Sequence, residues 1–197
     1  ERREDAARRA RDAFERGLNA ARASAYLRME AALESPRARG VLLDAAAWLE
    51  AGAWTSDPGL ADRRNESARV FAAEALARHS RRIRKTAKRF DELDAHGRHK
   101  LRLKGKTLRY ALEDLAALFP EHPRRAERLL EAAKAVQDTL GALNDRAVRK
   151  ALVDTAAHGD PALALNAARV VLPDEEAELV QAAREALSHL VAADPLW

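Results

Sequence analysis

The chain has 197 residues, enough for one good-sized core or two small bundles without a metal or disulfide staple, and it contains no cysteine. That absence excludes a disulfide framework, a thiol nucleophile and thiolate metal sites, and it fits a reducing compartment. Net charge is only +4, but residues 78–109 hold 13 Lys and Arg against Asp91, Glu92 and Asp94, leaving 22 bases against 28 acids elsewhere, so a polyanion is expected at that window.

Ala, Leu, Arg and Glu dominate and β-branched residues are few, which predicts an all-α fold. In chain order, the pattern predicts a helix over 1–34 stopped by Ser35-Pro36 and a second over 37–51. Residues 52–65, with Pro58 and Gly59, read as a loop. A long helix over 66–93 is interrupted at Asp94-Ala95-His96-Gly97, and the next covers 98–119, ended by Pro120. Pro123 opens a helix to about 140. Residues 141–145 read as a bend, followed by helices near 146–157, 162–171 and 174–193. Pro173 and the acids Asp174, Glu175 and Glu176 are a helix-start signal, which assigns those acids to capping and to the helix dipole. No apolar run reaches membrane-spanning length and no signal-peptide layout opens the chain, so a cytoplasmic protein is expected.

Projected at about 100° per residue, His99, Arg102, Lys106, Arg109 and Glu113 share an arc of about 80°. Leu101, Leu108, Leu112, Leu115 and Phe119 form a core-facing stripe beside it, and Leu103 and Tyr110 lie on its far flank. In the preceding helix Arg78, Arg81, Arg82, Lys85, Lys88 and Arg89 occupy about 120° opposite Leu76, Ile83, Ala87 and Phe90. No acid within that run neutralises these bases at helical spacing. If the two helices lie antiparallel, their rows can line one trough. Guanidinium groups bind phosphate oxygens in pairs and ammonium groups add point charge, so a row at helical spacing suits a linear chain of phosphates. His99 can donate a hydrogen bond and take a proton beside a bound anion.

The segment from His99 to Glu113 resembles the histidine motif of the CHAD family, the conserved histidine α-helical domain, roughly His-x-x-Arg-Ile/Leu-x-x-Lys-x-Leu-Arg-Tyr-x-Leu-Glu. His99, Arg102, Leu103, Lys106, Leu108, Arg109, Tyr110, Leu112 and Glu113 carry the match. Leu140-Gly141-Ala142-Leu143-Asn144-Asp145 is similar to the family's Leu-Gly-x-x-Asn/His-Asp turn. The resemblance implies a helical bundle of two related four-helix halves, here 1–94 (incomplete, its own histidine motif upstream or lost) and 98–197. It further implies a basic groove or central pore that binds inorganic polyphosphate without catalysis or cofactor, and targeting to polyphosphate granules. It assigns binding to His99, Arg102, Lys106 and Arg109, and then to Arg81, Arg82, Lys85, Lys88 and Arg89. Gly105 and Thr107 depart from the family's usual choices.

Rival chemistries find less in the sequence. Gly105-Lys106-Thr107 ends like a phosphate-binding loop, but Lys100 stands where the first glycine belongs. His158 with Asp160, and His122 with Glu121, are isolated pairs better read as surface residues than as metal ligands. Asp138 and Asp145 are read as caps or ion-pair partners, and Tyr26, Trp48, Trp54 and Tyr110 as core. A nucleic-acid binder would use the same phosphate contacts, but 5% aromatic residues supply no stacking platform. An accessory role beside a polyphosphate- or triphosphate-processing enzyme stays open, whereas turnover by this chain itself would need metal-holding carboxylates that the basic window lacks.

Overall fold

A computed structural model describes residues 2–157 and 175–197, and among them all regular structure is helical. The elements are α1 (Arg2–Glu34), α2 (Pro36–Ala51), α3 (Ala53–Ser56), α4 (Ala61–Asn65), α5 (Ala68–Ala87), α6 (Ala95–Leu115), α7 (Pro123–Ala156) and α8 (Glu176–Ala192). The helix expected near 162–171, and the pair His158 and Asp160, lie outside the described residues, as do Pro173 and Asp174. The fold is an all-α helical bundle, and it divides into two compact units, residues 1–66 with 151–171, and residues 67–150 with 172–197.

In the first unit, Ser35 breaks α1 from α2 as its residue type predicts. Its hydroxyl accepts from the Ala38 amide at 3.2 Å and donates to the Ala32 carbonyl at 2.6 Å, with Pro36 opening α2. The expected loop over 52–65 contains two short helices, α3 and α4, and a 3-10 turn over Pro58–Leu60. Trp54 donates from Nε1 to the Trp48 carbonyl at 2.8 Å, which ties this segment back onto α2. The expected burial of Tyr26, Trp48 and Trp54 is corrected: they are 51%, 58% and 42% exposed. Leu27, Leu33, Val41, Leu42, Leu43 and Leu49 are exposed with them. Much of the apolar surface of α1 and α2 is thus left uncovered among the described residues, and α2 buries no residue.

The second unit is an up-and-down four-helix arrangement of α5, α6, the first 28 residues of α7 and α8. Antiparallel pairing follows from contacts that run in opposite order along the two partners. Arg69 at the start of α5 pairs with Glu121 beyond α6, while Lys104 in α6 donates to Thr86 Oγ1 at 2.8 Å near the end of α5. Arg84 donates to the Ala193 carbonyl after α8 at 3.2 Å, and Arg184 in α8 pairs with Asp91 at 2.7 Å. The core joins Leu76, Ile83 and Phe90, then Leu101, Leu108, Leu112 and Phe119, then Leu129, Val136, Leu140 and Leu143, then Leu187, Leu190 and Leu196. Both predicted apolar stripes face inward, with Leu115 and Ala87 packed at the margin. Asp94 accepts from the Gly97 amide at 2.7 Å and so starts α6 three residues earlier than expected.

One local expectation fails. Residues 141–145 are not a bend, because α7 runs unbroken from Pro123 to Ala156. Leu140 and Leu143 continue the core stripe set by Leu129, Ala133 and Val136, and that periodic burial overrides the single glycine, whose cost inside a helix is about 1 kcal/mol. Asp138 and Asp145 stand exposed in mid-helix and therefore cap nothing. A turn glycine would resist replacement, whereas a helical one does not. A methyl group at Gly141 would rest 3.9 Å from Arg102 Nε, an ordinary contact. Gly141→Ala is therefore expected to stabilise the fold by about 0.5–1 kcal/mol in denaturant unfolding.

Candidate functional site

The basic row of α6 lies on the seam with α7. Gly105 is buried there, and a methyl group on it would come 3.3 Å from Val136 Cγ1, so its lack of a side chain lets the two helices approach closely. Along the seam the side chains meet in antiparallel order. His99 Nδ1 lies 2.7 Å from Asn144 Oδ1, Arg102 lies against Gly141, and Arg109 donates from Nε to Gln137 Oε1 at 2.7 Å. Arg109 also pairs through Nη1 with Glu113, its partner one helical turn on.

His99, Arg102, Lys106 and Arg109 are all half-buried. Arg102 Nε is buried and has no hydrogen-bond partner among the described residues, and Arg98 Nε is in the same state. A buried donor left unsatisfied costs roughly 1–3 kcal/mol, so the fold holds Arg102 in place at some expense. No carboxylate pairs with Arg102 or Lys106 among the described residues. Tyr110 is exposed on the flank of the row, not in the core as expected, with the Arg109 guanidinium 4.3 Å and the Lys106 ammonium 5.5 Å from its ring centroid. Those cations sit against the ring and enrich the row in charge while occupying the aromatic surface.

The α5 row is placed differently. Arg81, Arg82, Lys85, Lys88 and Arg89 are exposed on the side of α5 away from the core. Lys104 is the α6 base that turns to α5, whereas His99, Arg102 and Arg109 turn to α7. The two rows therefore do not meet in one trough between α5 and α6. Acids just outside the run pair with its ends, Glu74 with Arg78 at 3.4 Å and Glu92 with Arg89 at 2.7 Å. Arg81, Arg82, Lys85 and Lys88 have no acidic partner among the described residues.

Within this strip the His79 imidazole is held below its ordinary value of 6.5, first by burial and then by the Arg82 and Arg78 charges. Folding therefore favours the neutral ring. Above about pH 6.5 the ring is neutral in both states, and as pH falls through the lower folded value the unfolded chain gains the proton first and stability is lost. His79→Gln should flatten that loss in unfolding curves recorded from about pH 7 to about pH 5.

The sequence gives no role to Arg98 or Gln137, and it places Asn144 in a turn motif rather than against His99. Arg98 lies four residues before Arg102, on the same side of α6. It sits 5.7 Å from the Phe90 ring centroid and 3.9 Å from Glu176, which also meets Arg146 at 3.3 Å. Glu176, in the first turn of α8, thus serves ion pairing as well as the helix dipole. Glu121, half of a suspected metal pair, is engaged by Arg69. Gln137, Gly141 and Asn144 recur at i, i+4 and i+7, and their spacing is the signal that they share one face of α7.

A family model described as CHAD domain matches residues 1–154 and spans both the α6 row and its α7 counterpart. The chain belongs to the CHAD family. No curated protein and no solved structure matches it. In this CHAD chain the two sequence motifs are the two sides of one seam. The histidine motif supplies the bases on α6 and the Leu-Gly-x-x-Asn-Asp motif the face of α7 that receives them. Among the described residues no helix is long and apolar enough to cross a membrane.

Proposed function

We propose that the chain binds inorganic polyphosphate at the α6–α7 seam through His99, Arg102, Lys106 and Arg109, without hydrolysing it. The observation that carries this reading is the state of Arg102 and Lys106, two half-buried cations in one row that no carboxylate among the described residues neutralises. Uncompensated charge at partial burial is costly in the free protein and is relieved when an anion arrives. From His99 to Arg109 the row spans about 15 Å along the helix, so a chain of phosphates can meet every member while a single phosphate meets one or two. The outward strip of Arg81, Arg82, Lys85, Lys88 and Arg89 attracts the same polyanion at longer range, which speeds encounter more than it adds affinity. Nucleic acid fits less well, since Tyr110 is the one aromatic against these bases among the described residues and its ring already carries two cations. Such a module suits a cytoplasmic protein recruited to polyphosphate granules. Titration with long-chain polyphosphate, with free phosphate assayed in the same samples, tests the reading: saturable binding without phosphate release supports it, and release would assign turnover instead.

A further inference from the structure

We infer that Gln137 and Asn144 of α7 are positioning residues that fix which edge of each base the seam offers to phosphate. The inference rests on the polyphosphate reading of the α6 row. An amide oxygen can only accept, so the contact of Asn144 Oδ1 with His99 Nδ1 places the neutral ring's proton on Nδ1 and leaves the Nε2 lone pair free. Nε2 is then the atom at which the ring gains its charge and donates. Gln137 Oε1 likewise occupies Nε of Arg109, and Glu113 takes Nη1. Between them, Arg102 beds its Nε against Gly141, where that nitrogen is sealed from solvent.

One consequence is shared by all three bases. A nitrogen facing α7 is committed to the seam or sealed in it, and the ligand is left the far end, which at Arg109 is already shared with Glu113. The side-on fork of Nε and Nη2, one of the two faces with which arginine grips a carboxylate or phosphate in two parallel bonds, is closed at Arg102 and Arg109. Phosphates are met end-on by the terminal nitrogens, one after another along α6. Such end-on contacts spread along α6 suit a continuous chain, whose successive phosphates each meet a terminal nitrogen, better than a small anion that reaches only one or two of them.

The test uses the intact chain with Gln137→Met and Asn144→Leu, which keep side-chain bulk and remove the acceptors, and Arg102→Ala as reference. Expected are a roughly two- to tenfold weaker affinity for long-chain polyphosphate in each of the two α7 variants, and nitrogen-15 chemical shifts of His99 that report the Nδ1-protonated ring in the parent. Asn144→Leu should move the ring to the Nε2-protonated form, and Asn144→Asp, whose carboxylate accepts the same proton, should restore the Nδ1 form. A merely structural role would not move the tautomer. Parent His99 protonated at Nε2, or α7 variants that bind like the parent while Arg102→Ala binds weakly, would overturn the inference and leave the polyphosphate reading standing. Parent-like binding by Arg102→Ala as well would overturn both.

Discussion

Arg102→Ala is expected to weaken long-chain polyphosphate binding roughly ten- to a hundredfold, the value of about 1.5–3 kcal/mol for hydrogen bonds involving a charged group. Its effect on folding should be small. The guanidinium carries a buried Nε with no partner, and deleting it removes that penalty while sacrificing the packing of the aliphatic stem. The two terms oppose each other, so unfolding free energy should shift by no more than about 1 kcal/mol. Arg128, exposed on the side of α7 away from the seam, is the control, and Arg128→Ala should leave affinity within about twofold of the parent. Calorimetric titration paired with denaturant unfolding separates the two quantities. Equal losses of affinity at Arg102 and Arg128 would reduce the row to general positive charge.

The second large effect is on salt dependence. If the contacts are Arg102, Lys106 and Arg109, and each releases about 0.7 counterion as on a single-stranded polyanion, the logarithm of affinity falls with the logarithm of salt at a slope of about −2. Between about 50 and about 200 mM salt that amounts to a roughly twentyfold loss. Direct contact by Arg81, Arg82, Lys85 and Lys88 as well would steepen the slope to about −5 and the loss to roughly a thousandfold. Because the α5 strip faces outward and the α6 row faces α7, the shallower slope is the expected one. A slope near −5 would show that a single polyanion wraps both surfaces.

Much of this arrangement was legible in the residues. The leucine stripes of α5 and α6 announced which faces would be buried, because helical periodicity reports burial directly, and the same projection set His99, Arg102, Lys106 and Arg109 in one row. Periodicity on one helix says nothing about which neighbour a flank will meet. The expectation that the α5 and α6 rows share a trough failed for that reason: their sequence adjacency guaranteed a hairpin, not the rotation of each row about its axis. Gly141 has the residue type of a breaker, but Leu140 and Leu143 keep the period of Val136, and tertiary burial outweighs local propensity. Gln137 and Asn144 left no trace as charge or apolar pattern, since a side-chain amide acquires a role only from the partner opposite. Trp48, Trp54 and Tyr26 show the complementary limit. Their size predicts a preference for burial, but in the first unit α1 and α2 present more apolar surface than their mutual contact covers.

The measurement that bears most directly on the seam as a polyphosphate site is calorimetric titration of the chain with long-chain polyphosphate and, separately, with triphosphate at physiological salt. The account predicts saturable binding of the long chain, much weaker binding of triphosphate, which cannot span the roughly 15 Å row, and loss of the long-chain signal in Arg102→Ala. Equal affinity for the two ligands, or no saturable binding of the long chain, would contradict it.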